Sequence, residues 1–110
     1  MSASHCLVFF GIRLQISPSE VESVERRIDP RMKRAQASGL QCYWSDFGSE
    51  GERYYLYIGK QVGIFGIENK SEMHLSIDDL TKLASETNIK LNQAGFGGTS
   101  ELFVQWEEDR

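Results

Sequence analysis

Apolar residues recur at every second position through residues 6–16, where Val8, Phe10, Ile12, Leu14 and Ile16 share one face of an extended segment. The other face begins apolar with Leu7 and Phe9 and ends polar with Arg13 and Gln15, so a first strand is predicted with only partial burial on that side. Ser17-Pro18-Ser19-Glu20 then announces a helix: Ser17 caps, Pro18 suits the first helical position, and Glu20 completes a capping box. Val21, Val24 and Ile28 follow at helical spacing. Asp29-Pro30 interrupts, because proline lacks an amide donor and disfavours helix at the residue before it. A short helix restarts with Asp29 as its cap and Met32 and Ala35 facing inward, and Ser38-Gly39 ends it.

Three strands are expected next, in a meander. Residues 40–47 form the first, closed by a turn at residues 48–51, and the tyrosine-rich residues 52–58 form the second. Gly59-Lys60 reads as a two-residue hairpin turn leading to a third strand at residues 61–67. Ser76 with Asp78 and Asp79 opens a long helix, where acidic side chains suit the positive end of the helix dipole. Its apolar stripe is Ile77, Leu80, Leu83, Ala84, Thr87, Leu91 and Ala94, with a weak point at Asn88. A glycine-rich loop at residues 95–98 leads to a last strand at residues 101–107, with Leu102, Val104 and Trp106 on one face.

The predicted order is β-α-β-β-β-α-β. Without one meander strand it is the βαββαβ pattern of ferredoxin-like folds. The expected architecture is an α+β fold: a single mixed, mostly antiparallel sheet with its helices on one face, a ferredoxin-like variant. Residues 1–110 suit one domain, with residues 1–5 and 108–110 expected to be flexible. That pattern concerns the fold and carries no function.

Composition adds little: hydrophobic residues are 40% and charged residues 25% of the chain, close to the average for globular domains. No apolar run approaches the roughly 20 residues that span a bilayer, and the first residues lack a basic leader pattern, so a cytoplasmic protein is expected. Cys6 and Cys42 sit in apolar strands, match no zinc or redox spacing, and are expected as buried free thiols. The net charge of −4 is unevenly spread, with +2 in residues 1–40 and −6 in residues 41–110. The excess of acid opposes nucleic-acid binding except at a local patch such as Arg26, Arg27, Arg31, Lys33 and Arg34.

Candidate chemistry is sparse. Only two histidines are present. Glu72, His74 and Asp78 hold metal-ligating groups, but Asp78 already serves a helix start, and solvated loop residues are the commoner outcome. The glycine-rich stretch 59–66 lacks the Gly-x-x-x-x-Gly-Lys-Ser/Thr order and the following helix of a phosphate loop. The loop at residues 95–100 offers backbone amides to an anion, but a strand follows it and not a helix. The terminal Glu107-Glu108-Asp109 reads as a solvated charge run. No catalytic residue, metal or cofactor is therefore assigned, and a non-enzymatic protein is expected.

The informative feature is the second face of the sheet. If Val8, Phe10, Leu56, Ile58, Val62, Ile64, Leu102, Val104 and Trp106 face the helices, alternation turns Phe9, Arg13, Tyr43, Phe47, Arg53, Tyr55, Tyr57, Phe65, Phe103 and Gln105 the other way. Seven aromatics on a face that should be polar mark a recognition surface. The candidate binding residues are Tyr43, Phe47, Arg53, Tyr55, Tyr57 and Phe65. The leading expectation is a small protein-binding module of inhibitor, immunity or accessory type, whose partner is a different protein or a second copy. One alternative is single-stranded nucleic-acid binding, with bases stacked on the same rings. A small ligand binder or a cryptic enzyme is the other.

Overall fold

The computed structural model describes residues 4–46, 54–67 and 69–107. It is an α+β fold of one open four-stranded sheet and three helices. Strand β1 (His5–Ile16) is followed by a single 3-10 turn (Pro18–Glu20), the short helices α1 (Val21–Glu25) and α2 (Pro30–Ala37), and strands β2 (Gln41–Asp46) and β3 (Tyr54–Gly66). Helix α3 (Ile77–Gln93) and strand β4 (Glu101–Glu107) complete the order. The strands lie in the order β2-β3-β1-β4, and every neighbouring pair is antiparallel, so the sheet is not mixed.

Local signals account for most element ends. Asp29 caps α2 by accepting from the Arg31 amide at 2.9 Å, and Pro30 occupies the first turn, where no amide donor is missed. Ser76 Oγ accepts from the Asp79 amide at 3.0 Å, while the Asp79 carboxylate accepts from the Ser76 amide at 3.3 Å. Helix α3 runs unbroken through Asn88. The helices cover one face of the sheet, where Val24, Met32, Ala35, Leu91, Ala94 and Phe96 pack on Ile12, Ile16, Leu56 and Ile58. Phe96 comes from the glycine-rich loop but tucks into this core, with the Arg34 guanidinium 4.2 Å above its ring. Only the C-terminal half of α3 is buried: Ile77, expected in the apolar stripe, is 76% exposed.

The main departure from the sequence pattern is in β3. The hairpin expected at Gly59-Lys60 is absent, and what reads as two short strands is one strand of 13 residues. Gly59 is a bend and not a turn. It pairs with Gly11 of β1, and both take positive φ, 154° and 151°. A Cβ on Gly11 would lie 2.1 Å from the Ile58 carbonyl oxygen, and one on Gly59 would lie 2.1 Å from that of Phe10. Only glycine allows so close an approach of two backbones.

Next to this pair the β1–β3 register slips by one residue, with Val8 opposite Gly63 and Phe9 opposite Gln61. Val62 is the extra residue of a bulge, and beyond it the faces of β3 exchange. Ile64, expected toward the helices, packs instead with Leu7, Phe9 and Tyr57 on the opposite face. Phe65, expected beside Tyr55 and Tyr57, lies opposite Cys6 on the helix side. Leu102, Val104 and Trp106 of β4 were also expected under helices, but the helices do not reach β4 and all three are exposed.

Replacing Gly59 by alanine should destabilise the fold by about 3 kcal/mol or more, combining backbone strain with the steric overlap. Urea denaturation compares this variant with Gly97→Ala, at a site where an added Cβ meets nothing within 4 Å. Equal stability of the two variants would contradict the bend.

Candidate functional site

The face away from the helices carries a second core. Leu7, Phe9 and Tyr57 are fully buried there, with Tyr43, Tyr55, Ile64 and Phe103 packed against them. Tyr57 is the hub: its ring centroid lies 5.5 Å from Phe9, 5.5 Å from Phe103 and 6.3 Å from Tyr43, in tilted and edge-on contacts. An open sheet buries such residues only by curling over them. Tyr43 lies in the row of Tyr57 and Arg13, whereas Glu107 lies in the row of His5. Eight residues of straight strand between His5 and Arg13 span roughly 26 Å. Yet Tyr43 Oη donates to Glu107 Oε2 at 2.7 Å. The two edges of the sheet thus meet through their side chains, across the bend at Gly11 and Gly59.

At this junction Glu107 collects three partners. Besides Tyr43, Ser45 Oγ donates to its other oxygen, and His5 Nε2 lies against Oε2 and 3.4 Å from the Tyr43 hydroxyl. Glu107 is only 9% exposed, against the expectation of a solvated terminal run. His5, expected in a flexible arm, is the first residue of β1. Burial, followed by the hydrogen bond to Glu107 and its charge, pushes the Tyr43 phenol well above its usual range. The chemistry of the cluster is that of a clasp. Ser45 bonds to a carboxylate and not to an imidazole, so the arrangement lacks the serine–base geometry of a nucleophile. Among the described residues no group of three or more metal-ligating side chains assembles, and His74 pairs with Glu72 at 3.1 Å on the open surface.

The predicted binding residues divide. Tyr43 and Tyr55 are half-buried at the margin of the second core, Tyr57 is at its centre, and Phe65 is on the other face. Phe47 and Arg53 lie outside the described residues, as does the turn at residues 48–51. Arg13 lies over the Tyr55 ring at 4.5 Å and the Phe103 ring at 5.1 Å. Burial raises the Tyr57 phenol pKa, and the Arg13 guanidinium partly offsets this. The basic cluster is largely occupied: Arg31 pairs with Glu20 at 2.7 Å and Asp29 at 2.9 Å, Arg26 with Glu22 at 3.3 Å, and Arg34 lies on Phe96.

Both cysteines are free thiols, and burial pushes that of Cys42 up to about 11. Three features of the surface bear on binding. Beside α3, a groove of about 160 Å³ is lined by Val62, Met73, Leu75 and Leu83. A polar cavity lies between β1 and the loop before β4, with Arg13 at its wall. On the helix side of β4, Leu102, Val104 and Trp106 are 48%, 65% and 55% exposed in a row. Sequence alternation identifies that row but misplaces it under a helix. Comparison with known proteins returns no family model, no curated protein and no solved structure that matches the chain.

The raised phenols have a consequence at high pH. A tyrosine that stays protonated in the fold but ionises near pH 10 when unfolded adds stability below that pH, and the gain is lost as pH rises through its folded value. Urea denaturation should therefore show stability declining above about pH 10. In a Tyr43→Phe variant the part of the decline due to Tyr43 should vanish, leaving that of Tyr57. An unchanged slope would contradict the Tyr43–Glu107 contact.

Proposed function

We propose that the chain is a protein-binding module whose contact surface is the outer edge of β4, and that its partner there is a second copy of itself. The observation that carries this reading is the apolar row Leu102, Val104 and Trp106, exposed on the terminal strand of an open sheet. An edge strand presents unpaired main-chain groups ready to extend a sheet, and an apolar row beside them adds the area that makes pairing favourable. Natural edges usually carry charges to prevent this. Here three alternate positions are large and apolar, while Cys6, Val8 and Phe10 of the neighbouring strand continue the patch half-buried.

The row is self-complementary. Antiparallel pairing of two β4 strands about a two-fold axis at Val104 sets Val104 on its own copy and Leu102 opposite Trp106. The same axis sets Glu101 opposite Glu107 of the other copy, so association should strengthen as salt screens the like charges. The reading moves the expected surface from the aromatic face to the helix side of β4, because Tyr57 is buried inside its own chain. Stacking of bases has less support, since it needs exposed rings and the aromatic face is folded onto itself. In topology the chain is read as a variant of the ferredoxin-like arrangement, in which the first crossover helix is split at Asp29-Pro30. The succession of two β-α-β units supports this.

Sedimentation velocity over a range of concentrations should show a monomer–dimer equilibrium. Val104→Asp should raise its dissociation constant at least about tenfold, since an unpaired carboxylate is costly to bury, with little change in thermal stability. A monomer at all concentrations, or a variant that associates like the parent, would end this reading.

A further inference from the structure

Strand β4 is shorter than the strand it pairs with, and its offset leaves a gap. Its pairing with β1 runs from Glu107 opposite His5 to Glu101 opposite Gly11 and stops there. From Ile12 onward no strand among the described residues pairs with that edge of β1. The loop at residues 97–99 passes alongside and borders an open cavity of about 320 Å³, near the lower end of small-molecule sites, which span roughly 300–1,000 Å³.

We propose that this cavity binds a small organic monocarboxylate, with the Arg13 guanidinium as its anion partner. Arg13 makes no ion pair with a carboxylate among the described residues. It is held instead by its place over the Tyr55 and Phe103 rings and by a hydrogen bond to the Tyr57 hydroxyl. Stacking fixes the plane of the guanidinium without using up its charge, which leaves N–H groups for the two parallel bonds that a carboxylate accepts. The loop contributes Gly97 and Gly98, and a Cβ on either would meet nothing within 4 Å, so their backbone borders open space. Gly98 holds φ at 105°, a conformation that other residues rarely adopt.

The rest of the lining selects within anions. Glu101 is part of the same wall, so a dianion such as phosphate faces repulsion that a monoanion suffers less. Ile12 and Phe103 provide apolar surface for an organic body rather than an inorganic ion. The cavity shares Glu101 and Phe103 with β4 but none of the exposed row Leu102, Val104 and Trp106, and all of its lining comes from one chain.

The test is a nitrogen-15 NMR titration of the full chain with sodium benzoate, sodium acetate and inorganic phosphate at neutral pH. Benzoate should give saturable shifts at the Gly98 and Thr99 amides and the Arg13 Nε–H, and it should bind more tightly than acetate. Arg13→Gln should weaken benzoate binding at least about tenfold, the loss expected for a charge-assisted bond. Glu101→Gln should strengthen it about threefold by removing a repulsive charge at a solvent-exposed site. Should Arg13→Gln fail to fold, Arg13→Lys keeps the charge without the planar fork and should still weaken binding several-fold. No saturation by benzoate up to about 50 mM, an Arg13 variant that binds like the parent, or tighter binding of phosphate than of benzoate would each overturn the proposal.

Discussion

Gly11 and Gly59 face each other across β1 and β3, each at a point where any side chain would strike the other strand's carbonyl oxygen. This contact divides both long strands into two arms. On one side of it Ile12, Ile16, Leu56 and Ile58 form the floor under the helices. On the other, the first half of β1 pairs with β4 and contributes Leu7 and Phe9 to the second core. Because the arms fold toward each other, one face of the sheet becomes an interior, and Leu7, Phe9 and Tyr57 lie as deep as any residue under the helices. The bend therefore comes first, and the second core, the meeting of the sheet edges and the exposed row on β4 all follow from it.

The Glu107 clasp bears a load that the bend creates. A curled sheet with one loose edge would expose the aromatic interior whenever the edge strands separated. Tyr43 and Ser45 from β2 hold Glu107 of β4, so the far edges of the sheet are tied by charge-assisted bonds at a carboxylate shielded from water. Removing the carboxylate would leave two half-buried hydroxyls without their acceptor, a loss that adds to that of the bonds themselves. Its place at the end of β4, within reach of Tyr43 and Ser45, also explains how Glu107, which reads from the sequence as a solvated acid, comes to be buried.

Element types were legible in the sequence because they rest on local rules. Alternation specifies β1 and β4, the Ser-Pro and Asp-Pro signals specify the helix starts, and Ser76 with Asp79 specifies α3. What was not legible depends on partners far along the chain. Gly59-Lys60 carries a hairpin signature, and only the presence of Gly11 opposite it turns the pair into a bend. The bulge at Val62 leaves no mark in hydrophobicity, yet it exchanges the faces of Ile64 and Phe65. Of the aromatic candidates, the alternation correctly groups Tyr43, Tyr55 and Tyr57 on one face; it cannot tell an outward platform from an inward core, since both need the same residues.

The same ambiguity explains why β4 is the place to look for function. A sheet that turns its aromatic face inward satisfies those rings with its own chain, and tyrosines in that interior add stability without recognising anything. Among the apolar residues that remain exposed, one contiguous row lies on a strand that the curl leaves open. Leu102, Val104 and Trp106 point away from the concave side, beyond the span of α2 and α3, on the strand with a free edge. Each would cost less stability as a polar residue in an isolated chain, because a strand face open to water favours polar side chains. The start of β4 has a second effect, since its stopping opposite Gly11 opens the edge of β1 where Arg13 lies stacked on two rings. Both surfaces thus arise from one mismatch, a seven-residue strand laid on a twelve-residue one, and neither requires the aromatic core to open.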